Sequence, residues 1–112
     1  MGVATGDIDG DGKPEIYVAN MYSKMGRRIM AHVSPDDYSE GVHRKILGSC
    51  AGNRLYSNSD ERGSYHELSE QLGVNAVGWA YAPAFIDFDG DGLLDLYATT
   101  GFLSFDRRKP DG

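Results

Sequence analysis

Apolar residues in this chain of 112 residues gather in short runs bounded by turn formers. Ile16-Tyr17-Val18-Ala19 and Leu96-Tyr97-Ala98-Thr99 are β-rich and brief, which predicts two strands. Asn53-Arg54-Leu55-Tyr56-Ser57 and Ser64-Tyr65-His66-Glu67-Leu68 alternate polar and apolar, the period of a half-buried strand. The stretch between them, Asn58-Ser59-Asp60-Glu61-Arg62-Gly63, is made of turn residues. Phe102, Leu103 and Phe105 are expected to form a further strand or a pairing edge. Ser34-Pro35-Asp36-Asp37 has the marks of a helix start: a hydroxyl cap, a proline, and acids at the positive end of the dipole. Tyr38, Val42 and Ile46 recur at i, i+4, and Gly48 suits a stop, so a short inserted helix is predicted at about 35–47. One more helical turn is expected within Glu67–Gly73.

An internal repeat organises these elements. Gly6-Asp7-Ile8-Asp9-Gly10-Asp11-Gly12-Lys13-Pro14-Glu15-Ile16-Tyr17-Val18-Ala19 aligns, 80 residues on, with Ile86-Asp87-Phe88-Asp89-Gly90-Asp91-Gly92-Leu93-Leu94-Asp95-Leu96-Tyr97-Ala98-Thr99. Each copy follows a small-residue segment and leads into a strand. The predicted order is strand, acidic loop, strand, strand, strand, then strand, acidic loop, strand. This is an all-β, antiparallel four-stranded unit followed by the opening hairpin of another. Expected boundaries are 1–75 for the first unit, with an insert at 21–52, then 76–106 for the hairpin and 107–112 for a frayed tail.

Composition agrees with a turn-rich β protein: fifteen glycines, seven tyrosines and four prolines. Net charge is −6, yet eight of the seventeen acids lie in the two loops, and without those eight charges the rest would be +2. The acidity is therefore local. Nucleic-acid binding has no support, because the basic cluster Arg107-Arg108-Lys109 falls in the expected tail. No run of eighteen apolar residues is present to span a membrane. No signal peptide is visible, and Met1-Gly2-Val3 runs almost directly into the first motif, so the chain is expected to be part of a longer one. Cys50 is the single cysteine, which leaves the redox compartment open and suggests a buried filler.

Each loop reads Asp-x-Asp-x-Asp-Gly-x-x-(Asp or Glu), a pattern suited to Ca2+, which takes six to eight oxygens. Carboxylates at positions 1, 3, 5 and 9 are Asp7, Asp9, Asp11 and Glu15, then Asp87, Asp89, Asp91 and Asp95. Position 7, Lys13 or Leu93, would contribute a main-chain carbonyl, and its side chain is free to vary. Gly12 and Gly92 allow the sharp turn that positive φ requires. Magnesium prefers fewer carboxylates, and zinc would need sulfur or histidine at ligand spacing. An acidic surface turn that binds nothing is the plainer alternative, and the duplication argues against it. An EF-hand needs an acid at loop position 12 and a following helix, whereas position 12 is Val18 or Ala98 and strands follow. Two Ca2+ sites are expected.

With these loops between the first two strands of a four-stranded unit, the chain resembles the FG-GAP/VCBS repeat of integrin-α-type β-propellers. Asn53–Asn58, Tyr65-His66-Glu67-Leu68, Leu72-Gly73-Val74 and Gly78-Trp79 resemble the spacer of the ASPIC/UnbV and cartilage-acidic-protein-like group. The resemblance implies a fragment of a larger propeller, since closure takes typically four to eight blades. It also implies a secreted or surface location, no catalysis in the propeller itself, and other blades or other copies as partners. A protein or glycan ligand is the further expected partner. An alternative is an accessory propeller of a polysaccharide-active enzyme. Trp79 and Tyr81 are read as packing between blades, with a sugar-stacking face the other option. His32, His43 and His66 are scattered, and Cys50 and Ser49 lack a nucleophile elbow, so no catalytic residue is assigned.

Overall fold

The computed structural model describes residues 1–22, 24–39, 41–58 and 63–101. The expected strand or edge at Phe102, Leu103 and Phe105, the tail 107–112, and most of the turn at 58–63 lie outside the described residues. Four strands form one antiparallel sheet in the order β1 (Gly2–Gly6), β2 (Glu15–Ala19), β3 (Arg54–Ser57) and β4 (His66–Glu67). Two more, β5 (Ala80–Ile86) and β6 (Asp95–Thr100), pair as a separate antiparallel hairpin. The predicted strand order is the observed one, and the architecture is a propeller blade with the opening hairpin of the next.

Register explains which residues become core. Ala4 pairs with Tyr17, and Tyr17 with Leu55, so alternate residues across three strands share one face. On that face Glu15, Tyr17, Ala19, Leu55 and Ser57 are all buried. Tyr17, Ala19, Leu55 and Ala80 form the buried apolar cluster, against which Ile8, Val74, Phe85, Leu96 and Ala98 pack. The core is thus shared between the blade and the hairpin that leans on it. The Tyr17 hydroxyl donates to the Val74 carbonyl at 3.0 Å, tying the blade face to the segment before the hairpin. Burial pushes the Tyr17 phenol above its ordinary pKa, with the Asn53 amide acting in the opposite sense. Asn53 is itself buried; its side-chain oxygen accepts from Asn20 N–H at 2.7 Å, and its own N–H donates to the Asn75 carbonyl.

Close approach of β1 to β5 requires glycine at two positions. A Cβ on Gly2 would lie 2.8 Å from Pro83 Cδ, and one on Gly6 would lie 2.9 Å from Leu94 Cδ1. Within the hairpin the register shifts between Tyr81 and Ala84, where Ala82 adopts φ 42°. This bulge accommodates Pro83, which has no N–H for the ladder.

The insert between β2 and β3 differs from expectation. The predicted helix at 35–47 is two pieces. Ser34 caps as anticipated: its hydroxyl accepts from Asp36 N–H at 3.3 Å, and Asp37 Oδ2 accepts from Ser34 N–H at 3.1 Å. That box closes just one 3-10 turn, Pro35–Asp37, because Tyr38 returns to extended backbone at φ −125°, ψ 159°. Gly41, at φ 78°, then starts a separate helix, designated α2 (Val42–Ser49), which runs through Gly48 rather than stopping there. A first helix, α1 (Lys24–Met30), was not anticipated. It is seven residues long with a glycine at its third position, a weak helical signal, and it packs on α2 with Met30 buried. The expected strand at 64–68 shortens to two residues. The turn expected within Glu67–Gly73 is present, closed by Leu72 N–H to the Leu68 carbonyl at 3.0 Å and Val74 N–H to Ser69 at 2.9 Å.

Candidate metal sites

Each acidic loop bridges the two strands of a hairpin, the first from β1 to β2 and the second from β5 to β6. In both, the position-1 aspartate turns back over its own loop. Asp7 accepts from the N–H groups of Gly10 at 2.8 Å, Asp11 at 3.1 Å and Gly12 at 2.9 Å. Asp87 accepts from Gly90 at 2.7 Å and Gly92 at 3.0 Å. Further side chain-to-backbone bonds step along each loop: Asp9 from Asp11 at 3.2 Å and Asp89 from Asp91 at 3.1 Å, then Asp11 from Lys13 and Asp91 from Leu93, each at 2.8 Å. These Asx turns need positive φ at two glycines per loop, Gly10 and Gly12, then Gly90 and Gly92. Sequence reasoning had singled out just the second of each pair.

The loops bring carboxylates together as the pattern predicts. Oxygens of Asp7, Asp9 and Glu15 lie within 4.8 Å of one another, and so do those of Asp87, Asp89 and Asp95. Oxygens on opposite sides of a calcium ion stand up to about 5 Å apart, so each trio fits around one such ion. Hard oxygen donors without sulfur or imidazole match Ca2+ better than a transition metal. Asp11 and Asp91 fall outside the trios, and the carbonyls of Lys13 and Leu93 stay as ligands expected from the loop pattern.

The ninth positions differ. Glu15 is fully buried; its Oε2 accepts from Ile8 N–H at 3.0 Å and its Oε1 from the Ser57 hydroxyl at 3.2 Å. Ser57 was not foreseen as a site residue, although its position two residues beyond Leu55 on β3 puts it on the core face. Asp95 accepts the equivalent bond, from Phe88 N–H at 3.1 Å, but is exposed.

The residues weighed for catalysis are spread over different elements. His43 sits on α2 with Nε2 3.2 Å from the Val33 carbonyl; His66 is on β4, and His32 follows α1. Cys50 ends α2, half-buried, with Sγ 4.0 Å from Ser49 Oγ. Trp79 and Tyr81 are 42% and 43% exposed, short of the burial expected of residues packed between blades. A polar concavity of about 460 Å³ lies elsewhere, lined by Ala51, Arg54, Glu67, Glu70 and Gln71. There Arg54 Nη1 bonds both Glu67 oxygens, at 2.6 and 2.5 Å. That contact holds the Glu67 carboxyl below its ordinary pKa, helped by the Ser69 hydroxyl and opposed by partial burial.

A four-stranded sheet with an acidic loop joining its first two strands, leaning on the hairpin of a second unit, has the form of a β-propeller blade fragment. The family model of the FG-GAP repeat matches residues 1–38, which take in β1, the first loop, β2 and the start of the insert. This part of the chain is similar to an FG-GAP repeat. No curated protein and no solved structure matches the chain. Among the described residues no helix is long and apolar enough to cross a membrane.

Proposed function

We infer that the chain is a non-catalytic, calcium-stapled segment of an extracellular β-propeller, a scaffold for adhesion or ligand binding. The residues assigned to the two sites are Asp7, Asp9, Asp11, Lys13 and Glu15, then Asp87, Asp89, Asp91, Leu93 and Asp95. One observation carries this reading: the same trio of carboxylates converges at the same place in both copies of the repeat. Glu15 adds to it, because a buried carboxylate with one amide and one hydroxyl as donors is costly unless a cation balances it. Calcium when bound supplies positive charge at the loop and joins the ends of the hairpin; extracellular levels saturate even weak sites. The chain's own residues set the frame for it, since the Asx turns already fold each loop into a ring. Spacer residues 53–58, 65–68 and 72–74 favour the ASPIC/UnbV-like group within this class. The test is thermal unfolding in EDTA and then in excess Ca2+. Calcium at 100 times its Kd raises stability by about 2.7 kcal/mol. An unchanged melting temperature would remove the calcium reading.

A second reading, an accessory propeller of a polysaccharide-active enzyme, draws on the exposure of Trp79 and Tyr81. Aromatic faces in solvent suit the apolar faces of sugar rings. Oligosaccharide binding that Trp79→Ala abolishes would favour it.

A further inference from the structure

Charge is divided unevenly between the sheets and the insert that joins β2 to β3. Residues 21–52 hold five of the eleven lysines and arginines but three of the seventeen acids, a net +2 against −8 for the remainder. All five bases fall on the two helices, Lys24, Arg27 and Arg28 on α1 and Arg44 and Lys45 on α2, and neither helix carries an acid. The acids come between them: Asp36 and Asp37 in the 3-10 turn, where Asp37 is engaged by the Ser34 N–H, and Glu40. Arg27, Arg28, Arg44 and Lys45 are exposed, and among the described residues none of the four forms an ion pair. Arg27 and Arg28 suit the last turn of α1, but Arg44 and Lys45 sit in the first half of α2, where the helix dipole disfavours a cation.

At 3.6 residues per turn, Arg27, Arg28 and Ile29 lie on the side of α1 away from buried Met30. Arg44 and Leu47 likewise lie on the side of α2 away from half-buried Val42 and Ile46. The two helices pack on each other, and His43 Nε2 lies 3.2 Å from the Val33 carbonyl just after α1, so the two outer faces point away from one another. We propose that the insert binds an anionic polysaccharide, a chain bearing sulfate or carboxylate groups, which wraps the helical pair and sets its anions against Arg27, Arg28, Arg44 and Lys45. Charge selects an anionic partner, and geometry selects its kind. A membrane surface is planar and meets one face of the pair at a time. Duplex DNA is stiff over about 150 base pairs and is limited in the same way. A single nucleic-acid strand bends, but it is gripped through aromatic stacking, and neither helix has Phe, Tyr or Trp. A flexible polysaccharide follows both faces, and guanidinium groups match its sulfates and carboxylates. The proposal extends the scaffold reading by naming a class of ligand, and it stands on charge and exposure, not on calcium.

The experiment is titration of the 112-residue chain with heparin, in EDTA and again in Ca2+, with circular dichroism to confirm folding. The wild type is expected to bind at low salt and to be released in about 1 M NaCl, where the screening length falls to about 3 Å. Arg27→Glu/Arg28→Glu and Arg44→Glu/Lys45→Glu should each weaken binding by about tenfold or more. Arg107→Glu/Arg108→Glu, the same change of charge near the end of the chain, should leave Kd unchanged. Arg27→Gln/Arg28→Gln and Arg44→Gln/Lys45→Gln repeat the test for a reversal that fails to fold. A wild type that does not bind heparin at low salt overturns the proposal, and so do insert variants that bind as the wild type does. Tighter binding to single-stranded DNA or to vesicles of anionic phospholipid than to heparin overturns the choice of partner. Because binding is read with and without Ca2+, its failure is distinguishable from failure of the calcium reading.

Discussion

The first and second acidic loops have nearly the same backbone bonds, yet they sit in different surroundings. In the first, the ninth-position carboxylate is inside the protein, bridging the loop amide of Ile8 to Ser57 on β3. In the second, the corresponding carboxylate makes the loop bond to Phe88 and is otherwise exposed. The aromatic residue two positions on follows suit: Tyr17 is fully buried and Tyr97 is 47% exposed. What separates the two is β3 and the hairpin β5–β6, which cover the first copy. Loop shape is therefore a local property of Asp, Gly and their spacing, while attachment of the loop to a core depends on the neighbouring strands.

That contrast can be broken most forcefully at the tyrosines. Tyr17→Ala should cost about 3–5 kcal/mol, as large-to-small changes in a core do, and Tyr97→Ala less than about 1 kcal/mol. Urea unfolding of the monomeric chain at low concentration measures both; equal losses would mean that the two copies are equally supported. Next come the ninth positions. Glu15→Ala strands the Ile8 amide and the Ser57 hydroxyl in a buried place and should cost about 2 kcal/mol, whereas Asp95→Ala leaves groups that water can reach and should cost under about 1 kcal/mol. Chemical denaturation in EDTA isolates this difference from any contribution of metal.

At the turn glycines the contrast should vanish. Gly12→Ala and Gly92→Ala each force a Cβ into the left-handed region, at φ 83° and 90°, and a Cβ meets nothing else at either place. Both should lose about 1–2 kcal/mol, a backbone cost indifferent to surroundings. Unequal losses would show that the loops are not locally determined after all. The smallest effect lies on the outer side of the blade. Because Arg54 lowers the folded pKa of Glu67, the unfolded chain holds the proton more tightly, and this pair contributes stability above the ordinary value of 4.5 that is lost as pH falls through the folded pKa. Both side chains are about a third exposed, so the contribution is about 0.5 kcal/mol. Unfolding of Arg54→Ala and wild type, compared at neutral pH and below 4, should converge at the lower pH.

How far the sequence reveals this depends on the range of the forces involved. The strands β1, β2, β3, β5 and β6 and both loops were legible, because alternation and Asx-turn spacing are signals within a few residues. The convergence of Asp7, Asp9 and Glu15 followed from the same spacing. The insert was less legible. Ser34, Pro35 and Asp37 make a sound cap, but a cap starts a helix without sustaining it, and Gly41 interrupts the apolar i, i+4 pattern. The helix α1 is short and carries Gly26, so its local signal is weak and its packing on α2 matters more. Ser57 and the burial of Glu15 were hidden for the same reason: they result from β3 pairing with β2 across an insert of some thirty residues.

That insert is closed at its neck. Tyr22 and Ala51 form an isolated antiparallel bridge, and Tyr22 N–H donates to the Gly78 carbonyl at 3.2 Å. The chain thus leaves the sheet and returns to it one bridge-width apart, whatever lies between. Because closing a longer loop costs only about 0.6 kcal/mol per doubling of its length, strand pairing in the blade is nearly indifferent to the size of this excursion. The neck is a natural port in the scaffold, a place where whole segments can be exchanged, lengthened or removed while the register of the sheet, and with it the placement of Glu15 against Ser57, stays as it is.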